Sequence, residues 1–289
     1  MVRTNKIRTD FQMPAKVKER GMAYENFVVE RAGAIATVYF NRPEKLNPIS
    51  GKLLSEMLAI AHELQEDEES RVVILTGKGR SFCAGADIGE LTANAGAQAQ
   101  RGQRDAARLR AARIGWRVMD EWERLDQVTI AAVNGFAIGG GLSLAMACDF
   151  RIAAAGARIW IPEVALGVPY MWGSVTRLIN LVGMSKAKEM IMTCDEVSAE
   201  EALKIGLVNQ VVPAERLNAA ALEFAAKLTS KPPMALRRTK DFFKALGNGR
   251  LGDITYADGY LGLSCIASDD MTEALAVFKE KRPGRFHDR

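Results

Sequence analysis

Two short segments of the chain carry residue types that could stabilise a negative charge on a reacting carbonyl oxygen. Residues 81–88 read SFCAGADI, and their small side chains leave backbone N–H groups accessible. Residues 134–141 read NGFAIGGG and lead into an apolar helical pattern. Glycines at the start of a helix present unpaired N–H donors at its positive end. Two such donors from separate loops can form an oxyanion hole.

A third segment supplies one carboxylate. Glu163 stands in the apolar run IPEVALG, residues 161–167. Burial in such surroundings would raise its pKa towards the range that suits a general acid/base. Each signal also has a structural interpretation: the glycines could serve packing, Glu163 could lie on an exposed edge, and Asp87 could cap a helix. Together the three segments predict an enzyme with oxyanion donors and one acid/base.

The elements that would position these segments follow an α/β pattern. Two short strands with a turn at Ala32-Gly33 predict a hairpin, and Ser50 could cap a helix that runs to about Glu66. Continuous apolar runs are typical of strands covered on both faces, and helical segments separate them, which predicts repeated β-β-α or β-α units. The predicted strands are residues 27–30, 34–40, 72–75, 130–133 and 150–154.

The pattern divides the chain into three parts. Residues 1–22 are a flexible basic arm, residues 23–212 the core, and residues 213–289 a helical region interrupted at Pro232-Pro233 and at residues 247–252. We expect the core or a neighbouring subunit to cover the apolar faces of these helices.

Composition excludes several classes of function. No apolar run is long enough to span a membrane. The four cysteines lack metal-ligand spacing, and with only two histidines a metal site or a Ser-His triad is not expected. Cysteines without an export signal favour a cytoplasmic protein. The net charge of +4 and the lack of an aromatic-basic pattern disfavour nucleic-acid binding.

The ordered set of motifs resembles the crotonase superfamily, the enoyl-CoA hydratase/isomerase group. The resemblance spans about residues 27–286 and includes a C-terminal segment, FKEKRPGRF, at residues 278–286. The other matching motifs are NRP at 41–43, FCAGADI at 82–88, NGFAIGGG at 134–141, AMACD at 145–149 and PE at 162–163.

The resemblance implies a spiral of β-β-α units with a helical C-terminal trimerisation region, assembled as a homotrimer or a dimer of trimers. It implies an acyl-CoA thioester substrate and no cofactor beyond that coenzyme A. The N–H groups of Ala86 and Gly140 would bind the thioester oxygen, with Glu163 as acid/base. The residues implied to contact coenzyme A are Cys83, Ala84, Gly85, Ala86, Asp87 and Ile88, with Phe278 and Lys281 near the nucleotide.

One catalytic position departs from the pattern of the family. Hydratases of this group carry a second glutamate two residues after the glycine run, where this chain has Ser143. Three reactions stay open: an enoyl-CoA isomerase that uses Glu163 alone, a hydroxycinnamoyl-CoA hydratase-lyase that uses Ser143 and Glu163, and a hydratase of altered activity. The lyase would also use a C-terminal tyrosine, Tyr256 or Tyr260. A catalytically inactive or RNA-binding paralogue is the alternative outside enzymes.

Aromatic residues near the glycine segments suggest the shape of the acyl pocket. Tyr170 and Trp172, with Trp116 and Trp122 from the preceding helical segment, would line the acyl end or belong to the core. If they line it, the acyl group is short or flat. The arginine-rich residues 98–117 lie where related chains have a segment over this pocket, and could meet coenzyme A phosphates or only solvent.

Overall fold

The first two strands form the predicted hairpin. The computed structural model describes residues 24–90, 113–248, 268–282 and 284, so the basic arm lies outside the described residues. Strands β1 (Phe27–Ala32) and β2 (Ile35–Phe40) pair antiparallel, with Ala32 opposite Ile35. The two-residue loop is therefore Gly33-Ala34, one residue later than predicted. Gly33 has a φ of 57°, which a tight hairpin loop favours.

Two sheets carry the core of the molecule. The larger has the order β1-β2-β3-β5-β7-β10, and its strands are parallel apart from the β1/β2 pair. The smaller has the order β4-β6-β8-β9. The remaining strands are β3 (Val72–Gly77), β4 (Ser81–Cys83), β5 (Val128–Val133), β6 (Phe136–Ile138), β7 (Phe150–Ala154), β8 (Arg158–Trp160), β9 (Val197–Ser198) and β10 (Gln210–Val212).

The β-β-α repeat follows from how consecutive strands divide between the sheets. Three strands of the larger sheet, β3, β5 and β7, are each followed by one strand of the smaller sheet, and helices follow β6 and β8. The predicted β-β-α spiral is confirmed. The helices are α1 (Gly51–Gln65), α2 (Ile114–Glu123), α3 (Gly140–Met146), α4 (Ser174–Thr193), α5 (Ala199–Lys204), α6 (Leu217–Thr229), α7 (Pro233–Asn248) and α8 (Asp269–Glu280).

Local signals set the helix boundaries near the site. Ser50 accepts a hydrogen bond from the Leu53 N–H at 3.1 Å and caps α1, as predicted. Gly183, with φ 79° and ψ 162°, divides α4 into two helical stretches. Short 3-10 helices occupy Pro43–Lys45, Val164–Leu166 and Ala214–Arg216.

The larger sheet is covered on both faces. Val73 and Leu75 belong to the cluster that includes buried residues of α1, α2 and α3, whereas Val72 and Ile74 pack on the opposite side with α6. This alternation is the period of two expected of a strand. Helix α6 therefore packs against the core, one of the two coverings expected for the C-terminal region.

Helix α7 presents an apolar surface. The exposed fractions are 74% for Met234, 70% for Phe242 and 71% for Phe243. The assignment of this region to oligomerisation stays a prediction. Of the helices in the described part of the chain, none is long and apolar enough to cross a bilayer.

Candidate active site

The segment after β4 is held in an extended form by the strand-like residues near Ile49. Ile49 N–H donates to Gly85 O at 2.7 Å, and Asp87 N–H donates to Ile49 O at 2.9 Å. This alternation turns the N–H of Ala86 away from Ile49, and that N–H has no acceptor among the residues the structure describes. Ala86 is exposed, so its N–H can meet a ligand.

Asn47 positions this segment, although the sequence reasoning did not identify it. Its buried side chain donates to Ser81 O at 2.8 Å and to Lys78 O at 3.1 Å, and accepts from the Arg42 N–H at 2.8 Å. Asn47 has a φ of 57°, a conformation that asparagine tolerates better than most residues. An asparagine in the loop after the NRP motif was the available signal.

The glycine run packs directly against the first segment. A methyl group added at Gly141 would clash with Cys83 O, and one at Gly85 would lie 2.8 Å from Ile138 O. Gly139 N–H donates to Trp160 O at 2.8 Å, and Gly140 begins α3. No acceptor for the Gly140 N–H exists within the described ranges. The structure thus brings the two predicted donor segments into contact.

Glu163 lies beside the glycine run. A methyl group at Gly139 would clash with its Oε1, so the carboxylate is packed against the Gly139 backbone. Its Oε2 is buried without a hydrogen-bond partner among the described residues. Burial raises the pKa of Glu163 to about 7, against a slight lowering by its own N–H. A carboxylate with a free oxygen and a near-neutral pKa can move protons at neutral pH.

Ser143 is joined to other hydroxyl groups. Ser174 donates to Ser143 Oγ at 2.7 Å, and Ser143 Oγ lies 3.1 Å from the Tyr170 hydroxyl. The Tyr170 hydroxyl and Ser143 Oγ each lie 3.3 Å from Gly139 O. All three hydroxyl-bearing residues are buried. Burial, and then the charge of Glu163, raise the pKa of Tyr170 well above its usual range, so the phenol stays neutral.

Trp172 covers the start of α3. A methyl group at Gly140 would lie 2.6 Å from Cζ3 of its indole ring, and one at Gly115 in α2 would clash with the ring. Trp172 has a φ of 64°, unusual for a residue with a side chain. Arg177 donates to Trp172 O at 2.9 Å, and its Nε and Nη2 pair with Glu123 at 2.9 and 2.5 Å. Sequence reasoning missed this support.

The other aromatic residues differ in placement. Trp122 is fully buried and its Nε1 donates to Cys148 Sγ at 3.3 Å. Of the two placements considered for it, the structure shows the core, because Trp122 lies on the buried face of α2 with Val118 and Met119. Trp116 is 37% exposed, and its role in an acyl pocket stays a prediction.

Three other residues predicted to contact coenzyme A are Cys83, Asp87 and Phe278. Cys83 is buried, which raises its thiol pKa to about 12 and leaves it unreactive. Asp87 pairs with Arg42 at 3.6 Å and accepts from the Gly89 N–H at 3.1 Å. Helix α8, which carries the exposed Phe278, packs against the Val164–Leu166 helix that follows Glu163.

Several residues predicted to act in the site have no contact in the structure that tests their role. Lys281 follows α8 and is exposed, and no contact in the structure tests its role with coenzyme A. Tyr256, Tyr260 and residues 98–112 lie outside the described residues. Within the described ranges, no group of three or more His, Cys, Asp or Glu residues could hold a metal ion.

Comparisons with known proteins identify the family of this site. Residues 30–289 match the enoyl-CoA hydratase/isomerase family. The short-chain-enoyl-CoA hydratase of Clostridium acetobutylicum is 39% identical over 265 residues, which cover 90% of this chain and 97% of the relative. The crotonyl-CoA hydratase of Syntrophomonas wolfei is 38% identical over 271 residues, 92% of this chain and 99% of the relative.

A solved structure agrees with the architecture. An enoyl-CoA hydratase from Mycobacterium avium subsp. paratuberculosis K-10 matches with a TM-score of 0.81 and 25% identity, and the match covers 92% of this chain and 100% of that chain. Fold, motifs and sequence identity therefore agree. The chain belongs to the enoyl-CoA hydratase/isomerase family of the crotonase superfamily, a family of enzymes that act on acyl-CoA thioesters.

Proposed function

We propose that this enzyme holds the oxygen of an acyl-CoA thioester with the N–H groups of Ala86 and Gly140 while Glu163 moves a proton on the acyl chain. One observation carries the proposal. Among the residues that the structure describes, the buried Oε2 of Glu163 has no hydrogen-bond partner, and its carboxylate packs against Gly139. Gly139 precedes Gly140, one of the two N–H donors that have no acceptor in the same part of the chain.

The chemistry follows from where charge develops. Removal of a proton from the carbon next to the thioester places negative charge on the thioester oxygen, and two N–H donors stabilise that enolate. Loss of one such donor lowers turnover by about a hundred- to a thousandfold in other enzymes. With a pKa of about 7, Glu163 is ionised enough near neutral pH to accept the proton and acidic enough to return it.

The geometry favours migration of a double bond as the net reaction. Glu163 takes the proton from the α-carbon of a 3-enoyl thioester, the double bond shifts towards the carbonyl, and Glu163 returns the proton to the γ-carbon. One carboxylate is sufficient for this exchange. The Ser143 hydroxyl, which stands at the position of the second glutamate, is buried and already bonded to Ser174 and Tyr170.

Hydration is the second candidate. The two relatives described above are named as hydratases of short-chain and crotonyl thioesters. In this chain Ser143 and Tyr170 would have to orient the water, with Glu163 transferring the proton. Hydration followed by cleavage of an aromatic acyl chain is the corresponding reaction of a hydratase-lyase.

We extend the proposal to the substrate and the assembly. The indole of Trp172 over Gly140 restricts the space beside the donors, which favours a short or flat acyl group. Coenzyme A would lie along residues 83–88 and reach Phe278 and Lys281, with no other cofactor. The exposed apolar residues of α7 support a homotrimer or a dimer of trimers.

The decisive experiment is proton exchange in heavy water. Butanoyl-, crotonyl-, 3-butenoyl- and cinnamoyl-CoA are incubated with the enzyme in heavy water. The products are then separated, and their masses are measured by mass spectrometry. Isomerisation moves the double bond and incorporates deuterium whenever the proton on Glu163 exchanges with solvent before it is returned, hydration adds D2O, and cleavage releases a shorter thioester. We expect deuterium incorporation with the wild type and with Glu68→Gln, an exposed control, and its loss with Glu163→Gln.

Two results would count against the proposal. Deuterium incorporation by Glu163→Gln at the wild-type rate would remove Glu163 as the proton carrier. Failure of the wild type to exchange or convert any thioester that it binds would favour the catalytically inactive alternative.

A further inference from the structure

Three buried hydroxyl groups form a chain that ends on the backbone of the glycine run. Ser174 Oγ donates to Ser143 Oγ at 2.7 Å, Ser143 Oγ lies 3.1 Å from the Tyr170 hydroxyl, and that hydroxyl donates to Gly139 O at 3.3 Å. Each hydroxyl has one proton to donate. An arrangement that uses all three protons runs in one direction, from Ser174 through Ser143 and Tyr170 to the carbonyl of Gly139.

The end of this chain matters because of the peptide bond that it reaches. The carbonyl of Gly139 and the N–H of Gly140 belong to one planar peptide unit. Gly139 O also accepts the Ser143 N–H at 3.1 Å. Hydrogen bonds in a chain polarise one another, and a polarised peptide is a stronger N–H donor at its other end. The same bonds fix the orientation of a peptide whose glycine has φ 50° and ψ −115°.

Ser143 uses its only proton and one of its two acceptor positions in this arrangement. Its oxygen accepts a hydrogen bond from Ser174. Its own O–H donates either to the Tyr170 hydroxyl at 3.1 Å or directly to Gly139 O at 3.3 Å. The residue is only 1% exposed, so a bound water would have to displace one of these buried bonds. The geometry therefore gives Ser143 a task that does not involve water or the substrate.

We infer that Ser174, Ser143 and Tyr170 are positioning residues, whose hydroxyl chain orients and polarises the Gly139–Gly140 peptide so that the Gly140 N–H binds the thioester oxygen more strongly. This inference rests on the proposed function, because it requires Gly140 to be an oxyanion donor. It assigns Ser143 a role through the backbone in place of the acid/base role of the glutamate it replaces.

Tyr170 keeps its phenolic proton, which this role requires, over a wide pH range. Burial of the phenol and the charge of the Glu163 carboxylate both raise the pKa of Tyr170. Hydrogen bonds with Ser143 and Ser174 and the charge of Arg177 lower the pKa of Tyr170, but the net effect keeps the proton on the phenol. Tyr170 can therefore donate to Gly139 O wherever Glu163 is ionised.

The experiment measures the polarisation of a bound thioester carbonyl. Butanoyl-CoA labelled with carbon-13 at the carbonyl is the probe, since it has no double bond to hydrate or move, and its infrared carbonyl band is compared free and bound. We expect the wild type to shift the band to lower frequency, and Tyr170→Phe and Ser174→Ala to reduce the shift. With a thioester that the wild type converts, the kcat of each variant should fall about three- to tenfold, the effect of one neutral hydrogen bond, with little change in KM.

Three further variants separate the roles. Tyr24→Phe removes a tyrosine hydroxyl bonded to Glu63, away from the site, and should keep the full band shift. Glu163→Gln should keep most of the shift while losing turnover. Ser143→Ala should resemble Ser174→Ala. If Ser143 were an acid/base, its loss would instead abolish turnover and leave the band shift unchanged, which would overturn the inference.

Different results would refute the oxyanion hole and the hydroxyl chain. A bound wild-type carbonyl whose band does not shift would refute the oxyanion hole itself. A full wild-type shift that Tyr170→Phe and Ser174→Ala both retain would refute only the hydroxyl chain. Melting curves verify folding, and if Tyr170→Phe does not fold, Ser174→Ala decides, because it removes a single oxygen at the far end of the chain.

Discussion

Replacement of Glu163 by glutamine should stabilise the folded protein above neutral pH and destabilise it slightly in acid. Burial of the carboxylate raises its pKa from the ordinary value of 4.5 to about 7. Between these two values the folded state binds more protons than the unfolded state, so the free energy of unfolding of the wild type decreases as the pH rises. Below 4.5 both states are protonated, whereas above 7 the folded state bears the full cost of the buried charge.

The size of the effect follows from the shift. A difference of one pKa unit corresponds to about 1.4 kcal/mol, so the buried charge costs the folded wild type about 3 kcal/mol at alkaline pH. Glutamine has the same shape but buries an amide whose hydrogen bonds are incomplete, which costs about 1 kcal/mol. We therefore expect Glu163→Gln to be more stable than the wild type by about 2 kcal/mol at high pH.

Urea unfolding measured from about pH 4 to pH 9 provides the test. The difference between the two proteins should increase through the window between 4.5 and about 7 and then level off. Glu68→Gln, which alters an exposed glutamate, should follow the wild type at every pH. Wild-type and Glu163→Gln curves that stay parallel throughout would refute the reasoning, because the carboxylate would then ionise at no cost to the fold.

Three further predictions concern activity. The kcat/KM of the free enzyme should rise with pH and level off above about 7, as Glu163 becomes a base, and a flat profile would remove that assignment. Trp172→Ala should open the space over Gly140 and increase kcat/KM for hexanoyl-length relative to butanoyl-length substrates at least tenfold, about the worth of two methylene contacts; an unchanged ratio would place Trp172 outside the acyl pocket. Gly139→Ala should reduce turnover at least a hundredfold by displacing Glu163. Gly156 has a φ of 85°, but an added methyl group would meet no other atom there, so Gly156→Ala should lose only stability, by about 1 to 3 kcal/mol. Equal loss of activity in both glycine variants would mean that backbone strain, and not the carboxylate, is responsible.

The fold could be predicted where the sequence repeats a simple period. Helix α1, with Ser50 as its cap, and the apolar strands β3, β5 and β7 lie where the pattern placed them. The strands of the smaller sheet could not be identified, because β4, β6 and β8 have three residues each and β9 has two, too few to show an alternation.

The sequence pointed to the two segments that the structure brings together, and it did not reveal the side chains that support them. Small residues and glycines are visible in a sequence, and so is a lone glutamate in an apolar run. Ser174, however, contributes through Ser143, which is 31 positions away, and no local pattern reveals that contact. The core position of Trp122 could have been chosen from the sequence, since its spacing from Val118 and Met119 places all three on one helical face.

The serine at position 143 is consistent with a site that has one base. A second carboxylate beside Tyr170 would add like-charge repulsion to the burial that already raises the pKa of Glu163, and would keep Glu163 protonated to higher pH. A neutral hydroxyl leaves burial as the main cause of the shift, which places the pKa near 7. Its hydrogen bonds act instead on the Gly139 carbonyl, at the other end of the peptide that carries the Gly140 N–H. In the proposed mechanism the same serine therefore keeps the pKa of Glu163 lower than a two-carboxylate site would and supports the oxyanion donor, and both effects favour proton transfer on carbon over activation of water.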